Sequence, residues 1–485
     1  MRKILLTFAA FVVAMAASAQ TNFGSFEPVS ASYELNNIKT TVAADGSVYV
    51  SSTYDQAFAF AGAEVAAPDF TSSCIVKYDA TGAEQWAVTF SGAAEIFDIA
   101  ADIDGTLYAA GHFAADVVCT GANGAETTIS GDETMYTTFI AKISAAGEIE
   151  VVKTIAPVVN ASIFDSGLED WSGNEFVTPS KIQVSGDKVY VAASFTADVP
   201  ELGWVASYLN YWFVAYMENN NYGVFSLNKS DLSNAASIAT VMDTEYAASV
   251  GYKAEALSFA VENGKVYLGF FGYGNLTLTT AAGTRNFVFD LTEEGSTEHA
   301  FVFAEIGATT TVKEFRVAKN DKFYIPFSLF MEVVGEEIVI AGTYFGEFPF
   351  DTSIATEEAT ALFVAKLAKD GTVKEAASFG AAYTPAACMG ATEDAVIISA
   401  DETTYTYAAG AVETSEAVYS DICGNTVFVH ADETKVCIDV KGSTVGVEDV
   451  VVENESEVIY NLLGQPVDAS YQGVVIKGGK LYIVK

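Results

Sequence analysis

Asp45-Gly46-Ser47-Val48-Tyr49-Val50 and Asp104-Gly105-Thr106-Leu107-Tyr108-Ala109 are two copies of one phrase. It returns as Gly186-Asp187-Lys188-Val189-Tyr190-Val191 and as Asn263-Gly264-Lys265-Val266-Tyr267-Leu268. Weaker copies stand at Gly335-Glu336-Glu337-Ile338-Val339-Ile340 and Glu393-Asp394-Ala395-Val396-Ile397-Ile398. Each is a polar turn followed by residues that alternate with period two, the period of a strand and not of a helix. A second phrase follows, as in Cys74-Ile75-Val76-Lys77-Tyr78, Phe139-Ile140-Ala141-Lys142-Ile143 and Phe363-Val364-Ala365-Lys366-Leu367, each running on to a turn glycine, Gly82, Gly147 or Gly371. Val224-Phe225-Ser226-Leu227-Asn228 and Phe287-Val288-Phe289-Asp290-Leu291 fall in the same slot. The sixth copy ends on Thr426-Val427-Phe428-Val429-His430.

Two phrases in fixed order mark an internal repeat, and the spacing between copies leaves room for about four strands each. Helical periodicity is nearly absent. The expected fold is all-β, a β-propeller whose six copies suggest six blades. Phe315-Arg316-Val317 with Asn320 to Pro326 reads as an extra half-copy, which would make seven. Residues 22 to 40 are expected to supply a strand that closes the ring with the last blade. A pair of β-sandwiches would explain the strands but not the repeat. The order of the phrases resembles the short β-propeller repeats of bacterial surface proteins over most of residues 40 to 382.

The two ends read as addresses. Arg2 and Lys3 precede an apolar run from Ile4 to Met15, and Ala17-Ser18-Ala19 gives small residues where a signal peptidase reads. Residues 1–19 are therefore expected to be a signal peptide, the run being too short to span a bilayer. No later segment is long and apolar enough to span. At the other end, Ile459-Tyr460-Asn461-Leu462-Leu463-Gly464-Gln465, Gly473-Val474-Val475-Ile476 and Leu481-Tyr482-Ile483-Val484-Lys485 read as three short strands with turns between them. This segment resembles the C-terminal sorting tail of the type IX secretion system of Bacteroidetes. The resemblance implies a small β-sandwich-like domain, from about residue 443 to 485, that the secretion and sorting machinery recognises. It leaves residues 20–442 as the propeller. The expected location is the outer-membrane surface or the extracellular space, or the periplasm in a cell lacking that machinery.

Composition narrows the function. The 485 residues include 63 Asp and Glu against 24 Lys and Arg, a net charge of −39, and 51% are hydrophobic. A chain this apolar can bury a core, so disorder is excluded, and so acidic a surface would repel nucleic acid. All but six of the acids lie between residues 21 and 440, so the charge belongs to the propeller and reads as a solubility feature. Only three histidines occur, His112, His299 and His430, far apart and without metal-site spacing, so each is expected to pack or to face solvent. No Gly-x-Ser-x-Gly elbow is present, and no two carboxylates can be nominated as acid and base. Asp102-Ile103-Asp104-Gly105 has part of a calcium-loop pattern but lacks the other ligands, so it reads as a turn; no cofactor is expected, calcium being the one weak possibility. Five cysteines leave at least one unpaired. Cys74 sits in a slot otherwise held by Phe139 and Phe363, which places it in the core, and a bridge between Cys388 and Cys423 is conceivable.

One feature exceeds this background. Trp171, Trp204 and Trp212 cluster with Tyr208, Tyr211 and Tyr216 in an insertion within the longest repeat. Inserted loops of repeat folds gather on the binding face, and flat rings with polar tips suit glycan or peptide recognition. The sequence thus points to an exported surface propeller with a non-catalytic binding or structural role. The alternatives are a propeller enzyme, a glycoside hydrolase or lyase with channel carboxylates, and a self-associating surface component.

Overall fold

The structure is a computed structural model. It describes most of residues 21–440 and the short strands between 459 and 484; residues 1–20, 159–174, 207–220, 244–253, 290–296, 321–327 and 441–458, with shorter gaps, lie outside the description. Residues 22–439 form one compact unit, and residues 1–21 with 440–485 a second.

The larger unit is a β-propeller of seven blades. Their innermost strands are Lys39–Val42, Ala94–Ala101, Glu175–Ser185, Ala254–Glu262, Leu329–Val334, Ala386–Ala391 and Asp421–Cys423. Each lies beside the next, and Asp421–Cys423 lies beside Lys39–Val42, so the seven enclose a central channel. The first phrase of every repeat forms the second strand of its blade, in Val48–Tyr54, Leu107–Phe113, Lys188–Phe195, Lys265–Tyr273, Glu337–Tyr344 and Val396–Ala400. The second phrase forms the third strand in Ser72–Tyr78, Met135–Ile143, Asn221–Asn228 and Thr360–Ala368. All these pairings are antiparallel, with the alternation buried between blades.

The seventh blade is built from both ends of the unit. Asp421–Cys423, Val427–Asp432 and Lys435–Val440 pair in order, and Thr21–Phe26 adds the outermost strand. The N-terminal strand therefore closes the ring as expected. The Thr426–His430 segment opens the second strand of this seventh blade rather than ending the sixth. The half-copy at Phe315–Val317 belongs to Thr310–Asn320, the outer strand of the fourth blade. Phe287 and Val288 also depart from expectation. They lie in Gly283–Val288, which with Asn275–Thr280 extends the edge of the third blade; the third strand of the fourth blade is Thr297–Ile306. A period-two pattern marks a strand but not its place in the blade.

The repeated residues earn their recurrence at the joints between blades. The Tyr49 hydroxyl donates to the Gly105 carbonyl of the next blade at 2.9 Å, and Tyr108 donates to Lys229 of the blade after that at 2.9 Å. The Lys77 ammonium reaches the Ala145 carbonyl at 3.0 Å, where the Trp86 indole N–H also donates, and Lys142 reaches Ser230 at 3.0 Å. The turn glycines fit these joints. Gly147 holds φ +84°, and a Cβ there would stand 2.9 Å from the Trp86 ring of the preceding blade. Gly82 holds φ +84° with the Phe23 carbonyl of the closing strand 2.5 Å from where its Cβ would be. A residue with a side chain is excluded at both by the backbone and by the neighbour.

In the smaller unit the strands Ile459–Asn461, Pro466–Val467, Gly473–Lys477 and Lys480–Val484 form one antiparallel sheet. It has four strands where three were expected, because Pro466–Val467 doubles back onto Ile459–Tyr460. Of the motif residues, Tyr460, Asn461 and Gly473 lie on these strands, while Leu462, Leu463, Gly464 and Gln465 are outside the described residues. Among the described residues no helix is long and apolar enough to cross a membrane.

Gly24, in the closing strand, is the sharpest test of this ring. A Cβ at Gly24 would lie 2.6 Å from the Tyr78 ring of the first blade. Gly24→Val should lower stability by about 1–3 kcal/mol, the usual cost of overpacking, read as a shift in the urea midpoint. An unchanged midpoint would show that the closing strand does not seat there.

Candidate functional site

The channel is where this fold concentrates charge. Lys39, Asp98, Lys181, Glu332 and Asp421 come from the inner strands of the first, second, third, fifth and seventh blades. Each is enclosed by protein but keeps partial contact with the channel. They interact across the opening as well as along the wall: Glu332 is repelled by both Asp421 and Asp98, from blades that are not its neighbours. Polar side chains on the inner wall also bond to the next blade's backbone. Asp98 Oδ2 accepts from the Ile182 amide at 2.8 Å, Gln183 Oε1 from the Val261 amide at 2.8 Å, and Asp421 Oδ2 from the Thr40 amide at 2.6 Å. The Lys181 ammonium reaches further, from the third blade to the Met331 carbonyl of the fifth, at 2.5 Å.

Burial and crowding set the protonation of this group. Burial pushes the Glu332 carboxyl up to about 7, against the pull of Lys181. Burial likewise raises Asp421 to about 6, with Lys39 opposing, and raises Asp98 against the Ile182 amide and the two lysines. Burial lowers Lys181 further than Glu332 and Asp98 can restore. At Lys39 burial acts downward too, but Asp421 and Asp98 outweigh it and hold the ammonium charged. The channel can therefore offer both a partly protonated carboxyl at Glu332 and a charged ammonium at Lys39 near neutral pH.

None of these five was singled out in the sequence. A signal was there: Lys39, Asp98 and Lys181 each stand six residues before the acid of a repeat turn, at Asp45, Asp104 and Asp187. Cys388 holds the same slot before Asp394.

The expected aromatic site fares differently. Trp204 is 2% exposed, stacked on Phe195 at 4.8 Å between ring centres, and its indole N–H donates to Ser237 Oγ at 2.8 Å. It is a core residue with no free face, which corrects its assignment to ligand binding. Gly223 explains the fit, since a Cβ there would stand 2.3 Å from the Trp204 ring. Trp171, Tyr208, Tyr211, Trp212 and Tyr216 lie outside the described residues. Asp102 forms an ion pair with Lys229 at 2.6 Å and Asp104 accepts from the Thr106 amide at 2.9 Å, so this turn spends its carboxylates on the fold. Cys74 is fully buried, as its slot implied. All five cysteines are free; the conceivable Cys388–Cys423 bridge is not formed, and the Cys388 thiol donates to the Tyr419 carbonyl at 3.4 Å.

No family model and no curated protein matches the chain. Among solved structures, an α-L-arabinofuranosidase of Fusarium graminearum bound to an iminosugar inhibitor is 11% identical over 80% of this chain and 94% of that one, with a TM-score of 0.37. A polysaccharide lyase is 11% identical over 84% of this chain and 78% of that one, with a TM-score of 0.32. A virginiamycin B lyase of Staphylococcus aureus is 11% identical over 71% of this chain and 94% of that one, with a TM-score of 0.29. At this distance the likenesses assign no residue of this chain a role.

The raised acids fix a pH dependence. A carboxyl whose pKa is higher in the folded protein binds more protons there than in the unfolded chain, so stability falls as pH rises through the gap. For Glu332 and Asp421 that gap runs from the ordinary carboxylate range to about 7 and about 6. The thermal midpoint should therefore fall between pH 5 and pH 7.5, and Glu332→Gln should flatten the slope. A midpoint that rises over this interval, or a slope the variant leaves unaltered, would contradict the channel assignment.

Proposed function

We propose that the protein is an exported surface propeller that binds a polar ligand at its central channel. The observation that carries this reading is the convergence of two lysines and three carboxylates from five separate blades into one partly open channel. Charges are costly to enclose, and a fold indifferent to ligands would be served by apolar residues in those places. Their attachment to backbone groups favours binding over turnover, because Asp98, Asp421 and Lys181 are tethered in place. The site is thus a preset arrangement of charge into which a ligand with polar groups on several sides fits.

One observation favours a second reading, a channel enzyme acting on glycosidic linkages. Burial raises Glu332 to about 7, so near neutral pH a share of it carries the proton a general acid needs. A glycan and peptide array decides between the two. Wild-type protein should retain a ligand, and Lys181→Gln together with Glu332→Gln should weaken its retention at least tenfold without loss of fold. Equal retention by the variant would remove the channel from consideration. Shortened glycans on the array, absent with Glu332→Gln alone, would favour the enzyme.

The tail and the leader complete the proposal. The run from Met1 to Ala19 directs export, and the sheet formed within residues 459–484 acts as the type IX sorting tail, with Tyr460, Asn461 and Gly473 on its strands. Deleting residues 443–485 should leave the propeller folded but remove it from the cell surface, as read by surface proteolysis in a host with that secretion system. Undiminished surface display would discard the sorting role.

A further inference from the structure

One charged group of the channel differs from the rest. Asp98 accepts from the Ile182 amide, Asp421 from the Thr40 amide and Glu332 from the Ala391 amide, and Lys181 donates to the Met331 carbonyl. Lys39 feels the attraction of Asp421 and Asp98, but among the described residues it has neither a hydrogen bond nor an ion pair of its own. An ammonium carries three donors. At Lys39 none of them meets a protein acceptor.

The repeat sharpens the contrast. Lys39, Asp98 and Lys181 hold one slot of the inner strand, and each lies opposite a small residue of the second strand: Ser51, Ala110 and Ala192. In the second and third blades the occupant of that slot is spent on another blade's backbone. In the first blade the same slot holds a charge that the fold does not use. Lys39 is half-buried, and its ammonium is not among the polar atoms sealed from solvent. Its field reaches Cys388 on the inner strand of the sixth blade, although the seventh blade stands between them. The charge therefore lies toward the opening of the channel. An ammonium partly withdrawn from water without an acceptor costs stability, and no bond within the fold offsets it.

We propose that Lys39 is the cation that anchors the channel's ligand, and that the ligand presents to it a carboxylate with a hydrogen-bond donor on a nearby carbon. A carboxylate supplies the acceptors the ammonium lacks, in a charge-assisted bond. Asp98 and Asp421 stand close enough to act on Lys39 and oppose a second negative charge there, so a singly charged group fits better than a phosphate monoester. The same two carboxylates hold backbone amides yet keep lone pairs, and these suit a donor beside the ligand's carboxylate. A hexuronate and an amino acid both carry that pair of groups. The proposal rests on the channel reading and names its ligand class.

Calorimetric titration of the full-length protein tests it. The probes are digalacturonate and glucuronate for the sugar acids, alanine and alanylalanine for the amino acids, and the methyl ester of each. At least one acid should bind, and its ester should bind about tenfold more weakly or worse. Binding confined to the first pair identifies a hexuronate, and binding confined to the second an amino acid or peptide end. Lys39→Gln should weaken the same binding about tenfold or more, with a circular dichroism melt to check its fold. The ester comparison uses wild-type protein and stands whether or not that variant folds. Binding of none of the acids, or of galactose 6-sulfate in their place, overturns the ligand class. An ester that binds as tightly as its acid, or a folded Lys39→Gln that keeps full affinity, overturns Lys39 as the anchor. The channel reading fails separately, when Lys181→Gln with Glu332→Gln retains every array ligand.

Discussion

The ring is held by one pairing, that of Thr21–Phe26 with Lys435–Val440. Each blade presents one face to each neighbour, and those faces are apolar. An open row of blades would leave a bare face at either end and an unpaired outer strand in the last blade. The N-terminal strand supplies that missing strand, and the Asp421 carboxylate bonding to the Thr40 amide at 2.6 Å ties the last blade to the first on the inner side. Phe23 and Gly24 then sit against the first blade, on Gly82 and Tyr78. Closure is thus made at the inner and outer radius at once.

Closure also dictates the character of the channel. Seven inner strands brought edge to edge enclose side chains that cannot all turn toward solvent. Where those side chains are charged, enclosure opposes ionisation of the acids and the fixed lysines favour it. The outcome differs from blade to blade: Glu332 is lifted to about 7, while Lys39 keeps its charge through Asp421 and Asp98. The same residues that bond blade to blade also make the field inside the channel. Structure and site are not separable here, which is why conservative replacements are the informative ones.

Much of the fold was legible in the sequence. The phrase around Tyr49 and the one around Lys77 each recur because they perform the same joint in successive blades, and a repeated physical task leaves a repeated string. The seventh blade was only partly legible, since its strands come from opposite ends of the chain and its turns lack the repeated phrase. The hairpin at 275–288 was misread because alternation reports burial and not order within a blade. The site was hardly legible at all. Lys39, Asp98 and Lys181 stand on three different strands, far apart in sequence, and only the packing of one blade's inner strand beside the next brings them together. Trp204 misled for the converse reason: tryptophans close in sequence suggest a shared surface, but an indole with a small partner such as Gly223 beneath it is built for the core.

The strand that closes the ring is also the first of the described strands to be synthesised, and its partner comes last, more than 400 residues later. Local hairpins can form as soon as their residues are available, but this pairing must wait for the whole circuit. Until then Thr21–Phe26 remains an unpaired strand beside a growing stack of blades. The first and last blades are therefore the latest to reach full stability, and the molecule has a point in time, not only in space, at which it becomes a ring.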